Sequence, residues 1–204
     1  FLCTCHMVVL LIFTSCTNPQ PEKPETVPDW MIHDFAKVDS LNPVLLPSSD
    51  QRFSDPLSGR EMAWESRNVL NPAAVVRNDS VFLFYRAQDP SGTSRIGLAV
   101  STDGLHFSKL PEPVFYPDED MMKAYEWSYL KENDPDCADC FDGVEDPRIV
   151  ETPDGRYIMT YTAYDGRTAR MALASSPNLT DWEKHGLILS DSIYTDIWSK
   201  SGAI

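Results

Sequence analysis

The chain has 204 residues, 42% of them hydrophobic and 24% charged, the proportions of a folded globular protein. Seventeen basic residues stand against 31 acidic ones, a formal net charge of −14. That balance excludes a nucleic-acid partner and a broad footprint on an anionic membrane, both of which need a basic surface.

Residues 7–13 (MVVLLIF) are an uninterrupted apolar run, shorter than the ~20 residues of a spanning helix. Thr14-Ser15-Cys16 follows it. A small residue before Cys after such a run reads as the lipobox-like end of a bacterial export signal, with Cys16 as the lipidated residue. Phe13 stands where Leu is usual, and a plain signal peptide or a short buried helix is the other reading. The sequence opens on Phe1, has no Lys or Arg before Lys23 and closes on Ser-Gly-Ala-Ile. It is therefore expected to be a piece of a longer protein. Residues 1–16 are read as the signal, 17–29 as a Pro-rich linker and 30–204 as the folded domain. The expected location is the bacterial cell envelope, periplasm or outer membrane, with the lipid as the sole membrane contact.

From Asn71 onward the chain contains itself twice. NPAAVVRNDSVFLFYRAQDPSGTSRIGLAVSTDGLHF is echoed by DPRIVETPDGRYIMTYTAYDGRTARMALASSPNLTDW. Pro72 matches Pro147, Arg95 matches Arg170, Leu98 matches Leu173 and Phe107 matches Trp182, each 75 residues apart. Each copy holds short β-branched and aromatic runs, VFLFY (81–85) and YIMTY (157–161), entered by the turn signals Asn78-Asp79 and Asp154-Gly155. Sixteen prolines disfavour long helices. Four short strands per repeat predict an all-β chain built from propeller blades. A β-sandwich with chance similarity is the alternative.

A blade needs only about 45 residues, so 117–143 is an insertion between the copies. From 118 to 146 there are 11 acidic residues against Lys123 and Lys131, which predicts a solvated loop or the rim of a mouth. Its Tyr125, Trp127 and Tyr129 suit either sugar stacking or pinning of the loop. Cys137 and Cys140 form an isolated CxxC, a local disulfide or two free thiols rather than a metal site, which needs two further ligands at matching spacing.

The insertion leads into Glu145-Asp146-Pro147-Arg148. Adjacent carboxylates entering a strand are costly to bury unless something uses them. Strand alternation sends Glu145 and Asp146 to opposite sides and puts Arg148 on the side of Asp146. An Asp facing a channel among like charges retains its proton, the condition of a general acid. A turn salt bridge from Asp146 to Arg148 is the bland alternative. Asn71 occupies the same place in the first copy, without the charge, and suits a sugar hydroxyl. Arg86, at a strand end beside Tyr85, is a substrate contact or an edge charge.

The ordered series NPAAVV, LFYRAQD, SRIGLAVSTDGLHF, GVEDPRIV, YIMTYTAYDG, DWEKHG and KSGAI resembles glycoside hydrolase family 130. The resemblance implies a five-bladed β-propeller, of which about the first half is present, acting on β-mannosides with inversion. It implies Asp146 as general acid, sugar contacts from Asn71, Arg86, Glu145 and Arg148, and anion binding by Arg148 and Lys200. The attacking group is expected on the opposite face, from later blades. The family holds phosphorylases and hydrolases. The resemblance alone favours phosphorolysis, and export favours hydrolysis. No metal or organic cofactor is implied, and inorganic phosphate is a candidate co-substrate. Residues 30–204 alone are expected to form an open, inactive part-ring. Phe141-Asp142-Gly143-Val144 departs from the Gly-Gly or Gly-Cys that often precedes this motif. A non-catalytic glycan-binding propeller and a propeller hydrolase of other specificity, such as an arabinosidase, are the rival readings.

Overall fold

The computed structural model describes residues 36–134, 137, 139–200 and 202–204. The expected signal, Cys16 and the linker lie outside them. After a 3₁₀ turn at Asp39–Leu41, two short strands, β1 (Phe53–Ser54) and β2 (Glu61–Met62), pair with each other. Each repeat then builds one antiparallel meander. The first comprises β3 (Asn68–Arg77), β4 (Ser80–Gln88), β5 (Thr93–Ser101) and β6 (Ser108–Lys109). The second comprises β7 (Asp142–Glu151), β8 (Tyr157–Tyr164), β9 (Ala169–Ser176) and β10 (Glu183–Leu187). Four strands per repeat is the expected number. The insertion carries two short helices, α1 (Lys123–Glu126) and α2 (Tyr129–Asn133), within an otherwise β structure.

The turns explain why these runs pair as they do. Asn78 and Asp79 both take left-handed backbone (φ 47° and 56°), the tight two-residue hairpin that matches strand twist. The next turn is organised by Asp89, whose Oδ1 accepts the backbone N–H groups of Ser91 and Thr93 at 2.9 and 3.0 Å. Its Oδ2 takes Nη1 of the buried Arg95 at 2.8 Å. The second meander repeats the device. Asp165 accepts from Arg167 and Thr168, both at 2.8 Å, and binds Arg170 at 2.8 Å. The matched arginines of the two copies are thus turn braces.

The meanders meet along a short parallel seam, Thr93 opposite Asp142 and Ser94 opposite Gly143. Gly143 has φ +108°, and a Cβ there would stand 2.2 Å from the carbonyl oxygen of Ser94. No side chain fits, which accounts for glycine ahead of the Glu-Asp-Pro-Arg run. Through this seam the strands form one eight-stranded sheet, and one core cluster draws on both meanders, with Phe84, Ile96 and Leu98 from the first and Val144, Met159, Tyr161 and Ala172 from the second. A second cluster, Phe53, Trp64, Tyr85, Ala87 and Ala99, covers the other face of the first meander.

The acidic insertion is in part the solvated segment expected, with Glu119, Asp120, Glu132, Asp134 and Asp139 exposed, but two of its carboxylates depart from that. Glu126 and Asp142 are fully buried. Glu126 accepts the Tyr161 hydroxyl at 2.7 Å and pairs with Lys184; Asp142 pairs with Lys131 at 2.7 Å. Burial raises the pKa of both carboxyls, and the lysines oppose the shift. Ahead of the first meander, Glu65 accepts Tyr85 at 2.9 Å and Lys109 at 2.7 Å, the same arrangement. The insertion aromatics serve as pins. Tyr125, Trp127 and Tyr129 lie under Arg170, Lys131 and Arg167 at 5.2, 5.3 and 5.9 Å. Cys137 and Cys140 form a disulfide.

Candidate functional site

Asn71 and Asp146 sit at matching irregularities. The register of β3 on β4 shifts between Leu70 and Ala73, and that of β7 on β8 between Glu145 and Arg148. Both residues take left-handed backbone, φ 48° and 51°, which Asn and Asp tolerate better than other side-chain-bearing residues. A bulge adds a residue and breaks strand alternation. Glu145 and Asp146 therefore do not diverge as alternation predicts. They reach the same guanidinium, that of Arg86 on β4 of the other meander.

Arg86 is the hub. Its Nη2 bonds Glu145 Oε1 at 2.6 Å and its Nη1 approaches Asp146 Oδ1 at 3.4 Å. Its Nε donates to Ser94 Oγ at 3.0 Å. Asn71 Nδ2 donates to Asp146 Oδ1 at 2.7 Å, so the two matching residues of the repeat touch. Lys200 Nζ stands 3.9 Å from Asp146 Oδ2. Glu145 is only 4% exposed and Asp146 6%. Burial pushes the Glu145 carboxyl up to about 6; the charge of Arg86 opposes the shift and that of Asp146 adds to it.

Arg148 does not join the group. It makes no ion pair with Asp146, and its Nη1 donates to the carbonyl of Pro147 at 2.8 Å. Both the expected orientation of Arg148 toward Asp146 and the turn salt bridge are thereby corrected. The bulge again supplies the reason, because the extra residue removes the period-two relation between positions 146 and 148. Of the sequence candidates, the fold gathers Asn71, Arg86, Glu145, Asp146 and Lys200.

A cleft of 380 Å³ opens beside Arg86, Glu145 and Lys200, walled by Phe141, Tyr164 and Trp198. The Tyr164 and Trp198 rings are 5.9 Å apart, and Trp198 is 60% exposed. Aromatic faces beside a polar floor suit a sugar ring, which has an apolar face and polar edges. These rings, rather than Tyr125, Trp127 and Tyr129, line the cleft onto which Glu145 opens. The repeat held a signal for one of them, since Tyr164 matches Gln88 at the end of the second strand. A larger hollow of 540 Å³, between the β1–β2 pair and the insertion, is lined by Arg60, Met62 and Trp127 and by none of the gathered residues.

A family model described as beta-1,4-mannooligosaccharide phosphorylase matches residues 37–204. A 1,2-beta-oligomannan phosphorylase of Thermoanaerobacter sp. (strain X514) is 34% identical over 162 residues, 74% of this chain and 45% of that protein. A glycosyl hydrolase from Bacteroides ovatus superposes with a TM-score of 0.74 at 40% identity, covering 86% of this chain and 48% of that one. A second structure matches at 38% identity and TM-score 0.74, again over 86% of this chain and 48% of its own. It is described as belonging to the family of mannoside phosphorylases that contains glycoside hydrolases targeting β-1,2 mannosidic linkages in Candida mannan. The chain spans about half the length of these relatives.

Proposed function

We propose, since this chain belongs to glycoside hydrolase family 130, that the full-length protein cleaves β-mannosidic bonds with inversion, Asp146 giving the proton. The two meanders are then consecutive blades of a five-bladed ring, and the carboxylates face its channel. The observation that carries the reading is the convergence of Asn71, Arg86 and Lys200 on the Asp146 carboxyl beside an aromatic-walled cleft. Asp146 protonates the departing glycosidic oxygen, directly or through a substrate hydroxyl, and the acceptor oxygen bonds to the anomeric carbon from the opposite face. Glu145 and Asp146 share one guanidinium, so they stand on one side of the sugar. Glu145 therefore serves to hold Arg86 and the substrate and does not activate the acceptor.

The linkage favoured is β-1,2, named for both the phosphorylase relative and the second solved structure. The acceptor favoured is water. Export favours it, and of the candidate anion pair Arg148 and Lys200 only Lys200 joins the carboxylate group. No metal or organic cofactor enters this scheme. The test is β-1,2-mannobiose incubated with and without inorganic phosphate. Hydrolysis gives mannose in both, whereas mannose 1-phosphate formed only with phosphate makes the enzyme a phosphorylase. Failure to cleave β-1,2- and β-1,4-mannobiose alike removes the mannosidase reading.

The apolar run ending at Ser15-Cys16 supports a location in the cell envelope, with a tether through a lipid on Cys16. Cys16→Ala should move the protein from the membrane to the soluble fraction, and unchanged partitioning defeats the tether. A single acyl chain binds only marginally, so partial release in the wild type is compatible with one chain.

A further inference from the structure

The internal repeat supplies a control within one molecule. In the first meander Gln88 pairs opposite Ser94 and Arg86 opposite Ile96. In the second, Tyr164 pairs opposite Ala169 and Thr162 opposite Met171. The second meander thus forms the same sheet with Thr162, Tyr164 and Ala169 where the first has Arg86, Gln88 and Ser94. The fold does not need the Arg-Gln-Ser set, so its presence in the first meander asks for another reason.

Ser94 is fully buried. Its Oγ accepts from Arg86 Nε at 3.0 Å and from Gln88 Nε2 at 3.3 Å. Gln88 is itself held, its Oε1 accepting Asn68 Nδ2 at 2.9 Å. The Ser94 backbone lies on the seam against Gly143, where no side chain intervenes. One side of this serine is therefore fixed to the strand that carries Glu145 and Asp146, and the other to the guanidinium that binds them. A guanidinium is a planar fork. Fixing Nε sets the plane and aims both Nη groups. Removing the hydroxyl leaves the donor without that acceptor and the plane free to turn.

We propose that Ser94 is a positioning residue: its hydroxyl, anchored at the seam between the meanders, sets the plane of the Arg86 guanidinium and through it the placement of the Asp146 carboxyl. This rests on the reading of Asp146 as proton donor. Thr162 and Ala169 show the second meander without the device, so among the described residues it stands in the first meander, the one whose arginine binds the carboxylates.

The test uses the full-length protein. Ser94→Ala copies the residue that the second meander carries at 169, so folding should survive. A misplacement of about 1 Å costs on the order of 10²-fold, and kcat on β-1,2-mannobiose should fall about 10- to 100-fold with KM little changed. Ser94→Cys, close in size but a weak acceptor, should fall between Ser94→Ala and the wild type. Arg86→Lys keeps a cation without an Nε to bond Ser94. Adding Ser94→Ala to it should therefore cost less than about twofold more, the coupling expected when one residue acts through the other. Additive losses overturn the proposal. A crystal structure of Ser94→Ala decides it independently of activity. Arg86 should leave Glu145 or Asp146, and an unmoved guanidinium overturns the proposal. An inactive wild type, or a fully active Asp146→Asn, would remove the reading of the reaction and leave the structural result to decide the role of Ser94.

Discussion

Asp146→Asn is expected to lower turnover of β-mannosides by about 10²–10⁴-fold, the usual worth of a general acid. The substitution is conservative in every respect but one. Asn already occupies the same left-handed backbone at position 71, φ 48° against 51° for Asp146, so the bulge accepts it. The amide oxygen can still take the Asn71 Nδ2 hydrogen bond that Asp146 Oδ1 takes at 2.7 Å. What disappears is the transferable proton. The loss should fall on kcat and leave KM nearly unchanged. Leaving-group chemistry sharpens the test, because an aryl β-mannoside with an acidic phenol needs little help in departing. The deficit of the Asn variant should therefore shrink on such a substrate. An equal deficit on disaccharide and aryl mannoside would show that Asp146 does something other than protonate the leaving oxygen. Full activity would overturn Asp146 as the proton donor, and a wild type that turns over no β-mannoside would favour the glycan-binding alternative.

Arg86→Met should damage stability as well as activity. Glu145 and Asp146 are both buried, and Arg86 is the cation within hydrogen-bond reach of both. Removing one partner of a buried ion pair typically costs about 3–5 kcal/mol, because the charge left behind keeps its desolvation penalty. The pH dependence gives the mechanism a signature. Glu145 has an ordinary value of 4.5 and is raised to about 6 in the fold. The folded state therefore holds a proton more tightly than the unfolded one. Stability from this group is fully present below 4.5 and is lost as the pH rises through 6, about 2 kcal/mol in all. Arg86 opposes that shift, so without it the folded value climbs further and the window extends upward. Unfolding of Arg86→Met relative to wild type should show a large loss at pH 7 and a smaller one at pH 5. A loss as large at pH 5 would mean that packing, not an uncompensated carboxylate, is responsible.

Much of this site was visible in the sequence through the repeat. The 75-residue offset singled out Asn71 and Asp146 as matching positions before any geometry was known, and the fold sets them in hydrogen-bond contact. Period-two reasoning failed one residue later. An Asn or Asp before Pro does not announce that it will adopt positive φ, so the bulge that turns Glu145 and Asp146 to one guanidinium has no clear mark in the letters. The link from Arg86 to those carboxylates spans about 60 residues and crosses from one meander to the other. Local pattern carries no information about it. The acidic insertion was legible in part: net charge anticipates its exposed carboxylates, whereas the burial of Glu126 and Asp142 depends on Lys184 and Lys131 arriving to neutralise them. Tyr164 and Trp198 carry no such mark, because the density of charge points to the insertion and Trp198 lies beyond the last strand of the repeat.

The tyrosine–glutamate–lysine contacts at Glu65 and Glu126 bear on where one building unit stops and the next begins. In each case the tyrosine and lysine belong to a meander, and the glutamate comes from the segment that precedes it. Strand boundaries would cut the second unit at Asp142, yet a piece excised there would carry Tyr161 and Lys184 away from their carboxylate. The unit that keeps these contacts is out of phase with the strands: it takes in α1, ahead of β7, and ends with β10. Duplication, recombination or grafting in whole meanders would have to respect that frame and carry Glu126 along with Tyr161 and Lys184.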